Sequence, residues 1–396
     1  MKNKVIIRMT ATRVILLLLI VAAASTALFR FTHGLGASTG LNDSYPWGIW
    51  IGFDVMTGVA LAAGGFTTTA AVYIFNRKKY HAFVRPAILT GLLGYLLVIV
   101  GLLADLGRPW AIWHAMIMWQ PRSIMFEVAL CVMLYTTVLM IEFSPVVFEK
   151  FKLNKAAKIA TALTIPVVIA GIILSTGHQS SLGALFLLVP DKLHALWWTP
   201  NLPILFYVSA LAVGPAMVIV ESTLAHRAFR LPQETRLLSQ FAIAIPILLA
   251  LYFVLKVGDL VASGDFAQIF QGTYEANMFI VEMIIGVIIP GIILALPALR
   301  RNHNALFGAA LLVVVGVVIN RLNVALVGMS RSAGVSYFPV FAEITITVGI
   351  VATGILVYTF MVENFSVLSH EIQHQEVPEY EYLPRKEGVS WKNLAK

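Results

Sequence analysis

Cysteine is all but missing from this chain: Cys131 is the only one in 396 residues. A lone thiol forms no internal disulfide, and it cannot supply the several thiolates of a protein-held iron–sulfur cluster or a structural zinc site. No Cys-x-x-Cys-His occurs, which excludes covalently attached haem. Charge is scarce as well. Asp, Glu, Lys and Arg make up 12% of residues against 59% hydrophobic ones, and the mean hydropathy of +0.84 excludes a soluble globular domain. The nine histidines, at 33, 81, 114, 178, 194, 226, 303, 370 and 374, fall in expected loops or at expected helix ends. A membrane haem b needs two axial imidazoles facing each other deep in a bundle. No such pair is in reach, so haem b is disfavoured and no metal site is expected.

What the chain has is long apolar runs. Ten stretches, at 14–31, 47–75, 86–104, 124–143, 156–175, 202–224, 238–255, 276–298, 306–328 and 340–362, can each cross a bilayer as a helix. Of the 28 Lys and Arg residues, only Arg30, Arg108, Arg122, Lys192, Lys256, Arg321 and Arg331 lie toward one face. The other 21 gather at the N-terminus, the even-numbered connections with their flanks, and the tail. Positive residues stay inside, so both termini are expected in the cytoplasm of a bacterial inner membrane. The net charge of +8 is this orientation signal together with an attraction to anionic lipid heads, and not a nucleic-acid footprint.

The first stretch has a basic start, an apolar run and the small residues Ala22 to Ser25, so it can pass for a signal peptide. No cleavage pattern precedes a polar start, and an uncleaved first helix is expected. Residues 1–363 read as one membrane domain and 364–396 as a polar cytoplasmic tail. Features also recur at a constant offset. Asp105 and Asp259 end the third and seventh stretches, 154 apart, and Glu127 and Glu282 open the fourth and eighth, 155 apart. The expected fold is therefore all-α and integral to the membrane. It has two pseudo-repeated four-helix bundles, helices 2–5 and 6–9, flanked by helices 1 and 10.

Ionisable groups inside a membrane are costly and mark function. The outer, charge-poor face collects Asp105, Arg108, Trp110, His114 and Glu127, then His178 in the sequence HQSSLG, then Trp197. An aromatic belt accounts for most of the tryptophans. It does not account for Arg108, Glu127 and His178 at one depth on successive helices. These residues suit a quinone, whose reduction takes two electrons and two protons and so needs carbonyl donors and a titratable acid. Glu127 and His178 are the candidate catalytic pair. A capping role for His178 in a loop is the competing reading. A second polar line, Asp54, Lys256, Asp259, Glu282, Arg321 and Glu343, fits either static ion pairs or a proton path.

The strings YPWGIWIGFDVMTGVALAAGGF, FNRKKYHAFVRPA, DLGRPW, MFEVALCVMLYTTVLMIEFSP, HQSSLG and YFPVFAEI resemble the NrfD/polysulfide-reductase family of membrane subunits, most closely its hydrogenase-2-type (HybB) branch. The similarity covers about residues 40–362. It implies a ten-helix subunit that exchanges electrons with menaquinone or ubiquinone. It also implies a periplasmic ferredoxin-like iron–sulfur partner bound to a catalytic oxidoreductase subunit, and no cofactor held in this chain. The family's quinone-site acid then corresponds to Glu127 and its histidine to His178. Related subunits serve hydrogenases, cytochrome-fed menaquinone reductases and sulfur-compound reductases. A haem b cytochrome subunit, a secondary transporter and a passive anchor are the rivals. Buried acids argue against the anchor, and the absence of evident broken helices argues against the transporter.

Overall fold

A computed structural model describes residues 9–45, 47–334 and 337–368. Ten of its helices are long and apolar enough to span a membrane. They are α1 (Ala11–His33), α2 (Trp50–Ile74), α3 (Lys78–Asp105), α4 (Ile124–Lys150), α5 (Thr164–Leu188), α6 (Leu202–Ala228), α7 (Thr235–Ser263), α8 (Tyr274–Ala295), α9 (His303–Ala333) and α10 (Phe341–Asn364). Local chemistry sets several starts. The side chains of Thr10, Ser123, Thr273 and Asn302 accept from first-turn N–H groups that have no partner within the helix. Gly264, at φ 82°, closes α7 in the left-handed conformation.

Helix contacts group the membrane helices into two rings and a flanking pair. α2 packs on α3, α3 on α4, α4 on α5, and α5 returns to α2; α6 to α9 close a second ring in the same order. The rings meet where α6 lies against α2 and α5, and where α9 meets the start of α2. α2 and α6, at this junction, are the most buried helices. α1 lies along α10, which leans on α3. Large apolar side chains such as Leu18, Ile173 and Ile247 project outward, as a lipid-facing surface requires.

The helix ends differ from the hydropathy reading in a way that matters for the site. The stretch expected at 156–175 is a short helix, Asn154–Ala162, followed after Leu163 by a helix running through HQSSLG and on to Leu188. His178 is thus inside a helix and not in a loop after it, which corrects both the boundary and the capping reading. Lys256 and Asp259 likewise sit within α7, past the end expected at 255. Apolar averaging stopped each stretch where polar residues begin, although those residues turn inward and the helix continues. π-helical turns at Trp50–Thr57 and Asn323–Val327 carry Asp54 and Asn323, which suits their frequent use at functional positions. α10 ends at Asn364, one residue past the expected boundary. The tail from 369, with His370 and His374, lies outside the described residues, as does the start at 1–8.

Candidate functional site

Glu127 stands in the first turn of α4, after the Ser123 cap, and is exposed at the rim of the first bundle. Ser181 of α5 donates to its Oε1 at 2.6 Å and also to the Gly177 carbonyl at 2.8 Å. One turn deeper on α5, His178 is fully buried, and neither ring nitrogen has a hydrogen-bond partner. Its ring is 5.6 Å from that of Tyr95 on α3, which meets the Tyr135 ring of α4 edge-on at 4.7 Å. Gln179 beside it is occupied, donating to the Val59 carbonyl at 2.8 Å. The arrangement is a carboxylate at the rim, a hydroxyl on it, and behind them an imidazole with two free nitrogens beside the Tyr95 ring. Buried polar atoms are rarely left this way, and both nitrogens of His178 are open to a partner from outside the chain.

The other expected outer-face residues do not converge here. Asp105 ends α3 beside Arg30 of α1, whose guanidinium donates to the Ala104 and Leu106 carbonyls at 2.6 and 2.5 Å and so caps α3. Arg108 and Trp110 are exposed in the connection that follows, where His114 meets Trp113 edge-on at 4.4 Å. No hydrogen bond or ring contact joins these three to Glu127 or His178 among the described residues. Trp197 belongs elsewhere. It is completely buried and donates through Nε1 to Glu282 at 2.9 Å, so its grouping with Glu127 is corrected. Sequence reading missed Ser181, although it lies in HQSSLG, and also missed Tyr95 and Tyr135, which nothing marks apart from their depth.

Glu282 is the hub of the second bundle. Besides Trp197, Asn320 donates to its Oε1 and Asn323 to its Oε2, each at 2.8 Å. Arg321 donates to Asn320 Oδ1 at 2.5 Å, to Ser209 at 2.8 Å and to the Phe206 carbonyl at 3.2 Å, and its guanidinium lies 3.6 Å from the Phe206 ring centroid. Lys256 is buried nearby without an ion-pair partner within 4.0 Å among the described residues. A cavity between Tyr252, Glu282, Asn320 and Ser209 offers about 20 Å³ to water centres, room for one water. The remaining acids of the expected line sit apart. Asp54 accepts from Thr347 of α10 at 2.6 Å, and Asp259 accepts from Thr199 and Asn201 at 2.7 and 2.9 Å. Glu343 ties the start of α10 to the loop at Gly40 by accepting from the Tyr337 hydroxyl and from the N–H groups of Gly40 and Val340.

The connection carrying Trp197 is itself held by His194, whose Nδ1 accepts from the Leu196 N–H at 3.2 Å. Burial is the main cause that holds this imidazole below its ordinary pKa, with Arg331 adding to it and Glu275 and Asp265 opposing it. A depressed folded-state pKa means the unfolded chain binds more protons below about pH 6.5, so stability falls as pH drops through that range. Hydrogen-exchange protection factors over 189–201, corrected for the intrinsic slowing of amide exchange in acid, are expected to fall between pH 7 and pH 5, and His194→Gln should flatten the response. An equal pH response in the variant would place its cause elsewhere.

Comparison with known proteins adds to this geometry. The profile of the family described as "Polysulphide reductase, NrfD" matches residues 37–332. A protein of Nitratidesulfovibrio vulgaris (strain Hildenborough) is 43% identical over 351 residues, covering 86% of this chain and 90% of its own. The "probable Ni/Fe-hydrogenase 2 b-type cytochrome subunit" of Escherichia coli K12 is 33% identical over 344 residues, 86% of this chain and 88% of its own. The "menaquinone reductase, integral membrane subunit" of the same N. vulgaris strain is 29% identical over 374 residues, 86% of this chain and 87% of its own.

Proposed function

The chain belongs to the NrfD family, and from that premise we propose that it is the quinone-reactive membrane subunit of a respiratory oxidoreductase complex. The observation that carries the reading is His178: a fully buried imidazole with both nitrogens free, one turn behind the Glu127–Ser181 pair. A quinone ring entering past Glu127 would meet a donor or acceptor on His178 and a carboxyl group able to exchange a proton. Electrons come from a redox protein at the charge-poor outer face, expected to be a ferredoxin-like iron–sulfur subunit joined to a catalytic subunit. Two relatives support this assembly by name, one a hydrogenase subunit and the other a menaquinone reductase subunit. Menaquinone is the favoured substrate, with ubiquinone the alternative, and the inner membrane with cytoplasmic termini is the favoured setting.

The Escherichia coli relative's name includes a b-type cytochrome, so the residues here must be tested against haem. Bis-histidine ligation takes two facing imidazoles. Among the described residues His178 is the only buried histidine, and its ring neighbour is a tyrosine. The residues do not fit a bis-histidine haem, and no step is assigned to one. Proton movement through Asp54, Asp259, Glu282, Arg321 and Glu343 is the weaker part of the reading, because its acids sit apart and each is held by donors of its own.

His178→Ala should weaken binding of a quinone-site inhibitor to the purified complex by about 1–3 kcal/mol, roughly 5- to 150-fold, the usual loss of one buried hydrogen-bond partner. Unaltered affinity with reduced thermal stability would make His178 a packing residue and remove the main support for the site.

A further inference from the structure

Cys131, the one thiol of the chain, stands between the Glu127 rim and the buried imidazole. Glu127, Cys131 and Tyr135 recur at a spacing of four, so they share one face of α4, each about 6 Å further along the helix than the last. That face meets α5. Ser181 binds Glu127 at its outer end, and one turn deeper the Cys131 sulfur lies opposite Gly177. A Cβ added at Gly177 would meet that sulfur at 3.8 Å and, apart from its own helix, no other atom within 4 Å. Space is therefore open in front of the thiol, at the level of His178. Cys131 is itself only half-buried, and the Glu127 carboxylate and the Tyr95 hydroxyl both lie within electrostatic reach of it.

The sulfur alone names no ligand; the polar atoms around it do. Both nitrogens of His178 and the hydroxyl of Tyr95 are buried without a hydrogen-bond partner, and the two rings are 5.6 Å apart. These groups suit the carbonyl oxygens of a flat ring, and a ring that reaches them from the rim passes the thiol. Sulfur is a soft nucleophile, and a quinone ring carbon that still carries hydrogen is an electrophile toward it. An N–H of His178 donating to one carbonyl oxygen draws electrons from the ring carbon conjugated with it, and Glu127 can take the thiol proton. Only the thiolate attacks, so it must form at the site, and a ring held against the sulfur gains the effective concentration that free thiol and quinone lack.

We propose that Cys131 is a covalent modification site for quinones with an unsubstituted ring carbon, and that its alkylation closes the quinone site. The proposal rests on the quinone reading and adds a class of ligand that reacts with the chain instead of turning over. The sulfur electron pair forms a C–S bond to the free ring carbon, and the electrons of that carbon's double bond move to a carbonyl oxygen, which receives the thiol proton through Glu127. The attacked carbon then gives up its hydrogen as a proton to the second carbonyl oxygen, and the pair left behind completes the aromatic ring. The two carbonyl groups are reduced and the attacked carbon is oxidised within one molecule, so no other oxidant or reductant enters. The product is a hydroquinone thioether. A quinone substituted at every accessible ring carbon has no hydrogen to release in this way and remains a substrate.

The test uses the whole complex, purified through this chain and kept oxidised, without electron donor, during exposure to menadione, a naphthoquinone with one free carbon beside its methyl group. One equivalent should add to this chain, on the peptide that carries Cys131. Quinone-linked turnover should then fall about tenfold or more, while the partner's activity with a water-soluble acceptor stays unchanged. Dimethylnaphthoquinone, with that carbon blocked, should form no adduct and in excess should slow labelling about fivefold or more. Cys131→Ala should take up no menadione, and the turnover it has should survive exposure. His178→Ala should slow labelling by menadione several-fold, yet react at the wild-type rate with methyl methanethiosulfonate, which has no quinone ring. Labelling that dimethylnaphthoquinone does not slow, or that leaves turnover intact, puts the thiol on the lipid side and overturns the proposal. Absence of an adduct also overturns it. If dimethylnaphthoquinone is still reduced and Glu127→Gln is impaired, the quinone reading stands without it; if Glu127→Gln turns over like wild type, that reading falls as well.

Discussion

Glu127→Gln is expected to cut quinone-linked turnover about tenfold or more while the protein still assembles. Glutamine matches glutamate in size, and its carbonyl oxygen can still accept from Ser181, so the 2.6 Å contact between α4 and α5 has a substitute. What disappears is the titratable proton. Assembly should survive because Glu127 is exposed at the bundle rim and makes no ion pair among the described residues. Glu127→Asp restores the proton but sets the carboxyl back by one methylene, and its turnover should fall between the two. Ser181→Ala provides the complement: it keeps the acid, loses the hydroxyl that orients it, and should cost less than Glu127→Gln. The decisive measurement is steady-state quinone reduction by the reconstituted complex, normalised to the partner's activity with a soluble acceptor. Turnover equal to wild type in Glu127→Gln would remove this carboxylate from the chemistry.

Much of the membrane architecture is legible in apolar run length and in the placement of Lys and Arg, because both report directly on a bilayer. The ten helices follow from it; the grouping into α2–α5, α6–α9 and the α1–α10 pair is instead a matter of helix contacts. Less legible is where polar residues sit within helices. Ser175, His178 and Ser181 lower the average hydropathy of α5, and an average cannot distinguish a helix that ends from one that turns polar side chains inward. HQSSLG therefore reads as a loop in sequence and is helical in the fold. Trp197 shows a second limit. Its position in a connection suits an interfacial belt, yet the connection folds back into the second bundle and delivers the indole to Glu282. Arg30 shows a third: its task of capping α3 depends on a contact 74 residues away in the chain. Glu127 was recognisable because it is an isolated acid in an apolar helix start, whereas Tyr95, Tyr135 and Cys131 acquire their interest only from mutual placement.

Glu282→Leu is expected to abolish accumulation of the folded chain, the largest stability effect in the molecule. Glu282 is almost entirely buried, and its carboxylate accepts from the Trp197 indole, Asn320 and Asn323 at 2.8–2.9 Å. Leucine has a similar volume but accepts nothing, so three buried N–H donors lose their partner at once. The anion also offsets two buried cations nearby, Arg321, linked to it through Asn320, and Lys256. Removing one side of a buried charge arrangement costs about 3–5 kcal/mol, a large part of the stability of an ordinary domain. Glu282→Gln separates charge from shape. Its carbonyl keeps one acceptor, but its amide nitrogen must face one of the three donors, so the thermal midpoint should fall less than in the leucine variant. Proton uptake by the reconstituted complex then decides what Glu282 does. If Glu282→Gln is less stable yet moves protons and electrons at wild-type rates per folded complex, the hub is a fixed anion holding α7, α8 and α9 together. If it is as stable as wild type and loses proton uptake while electron transfer persists, Glu282 is a relay, and the fixed-anion reading of its three N–H donors is wrong.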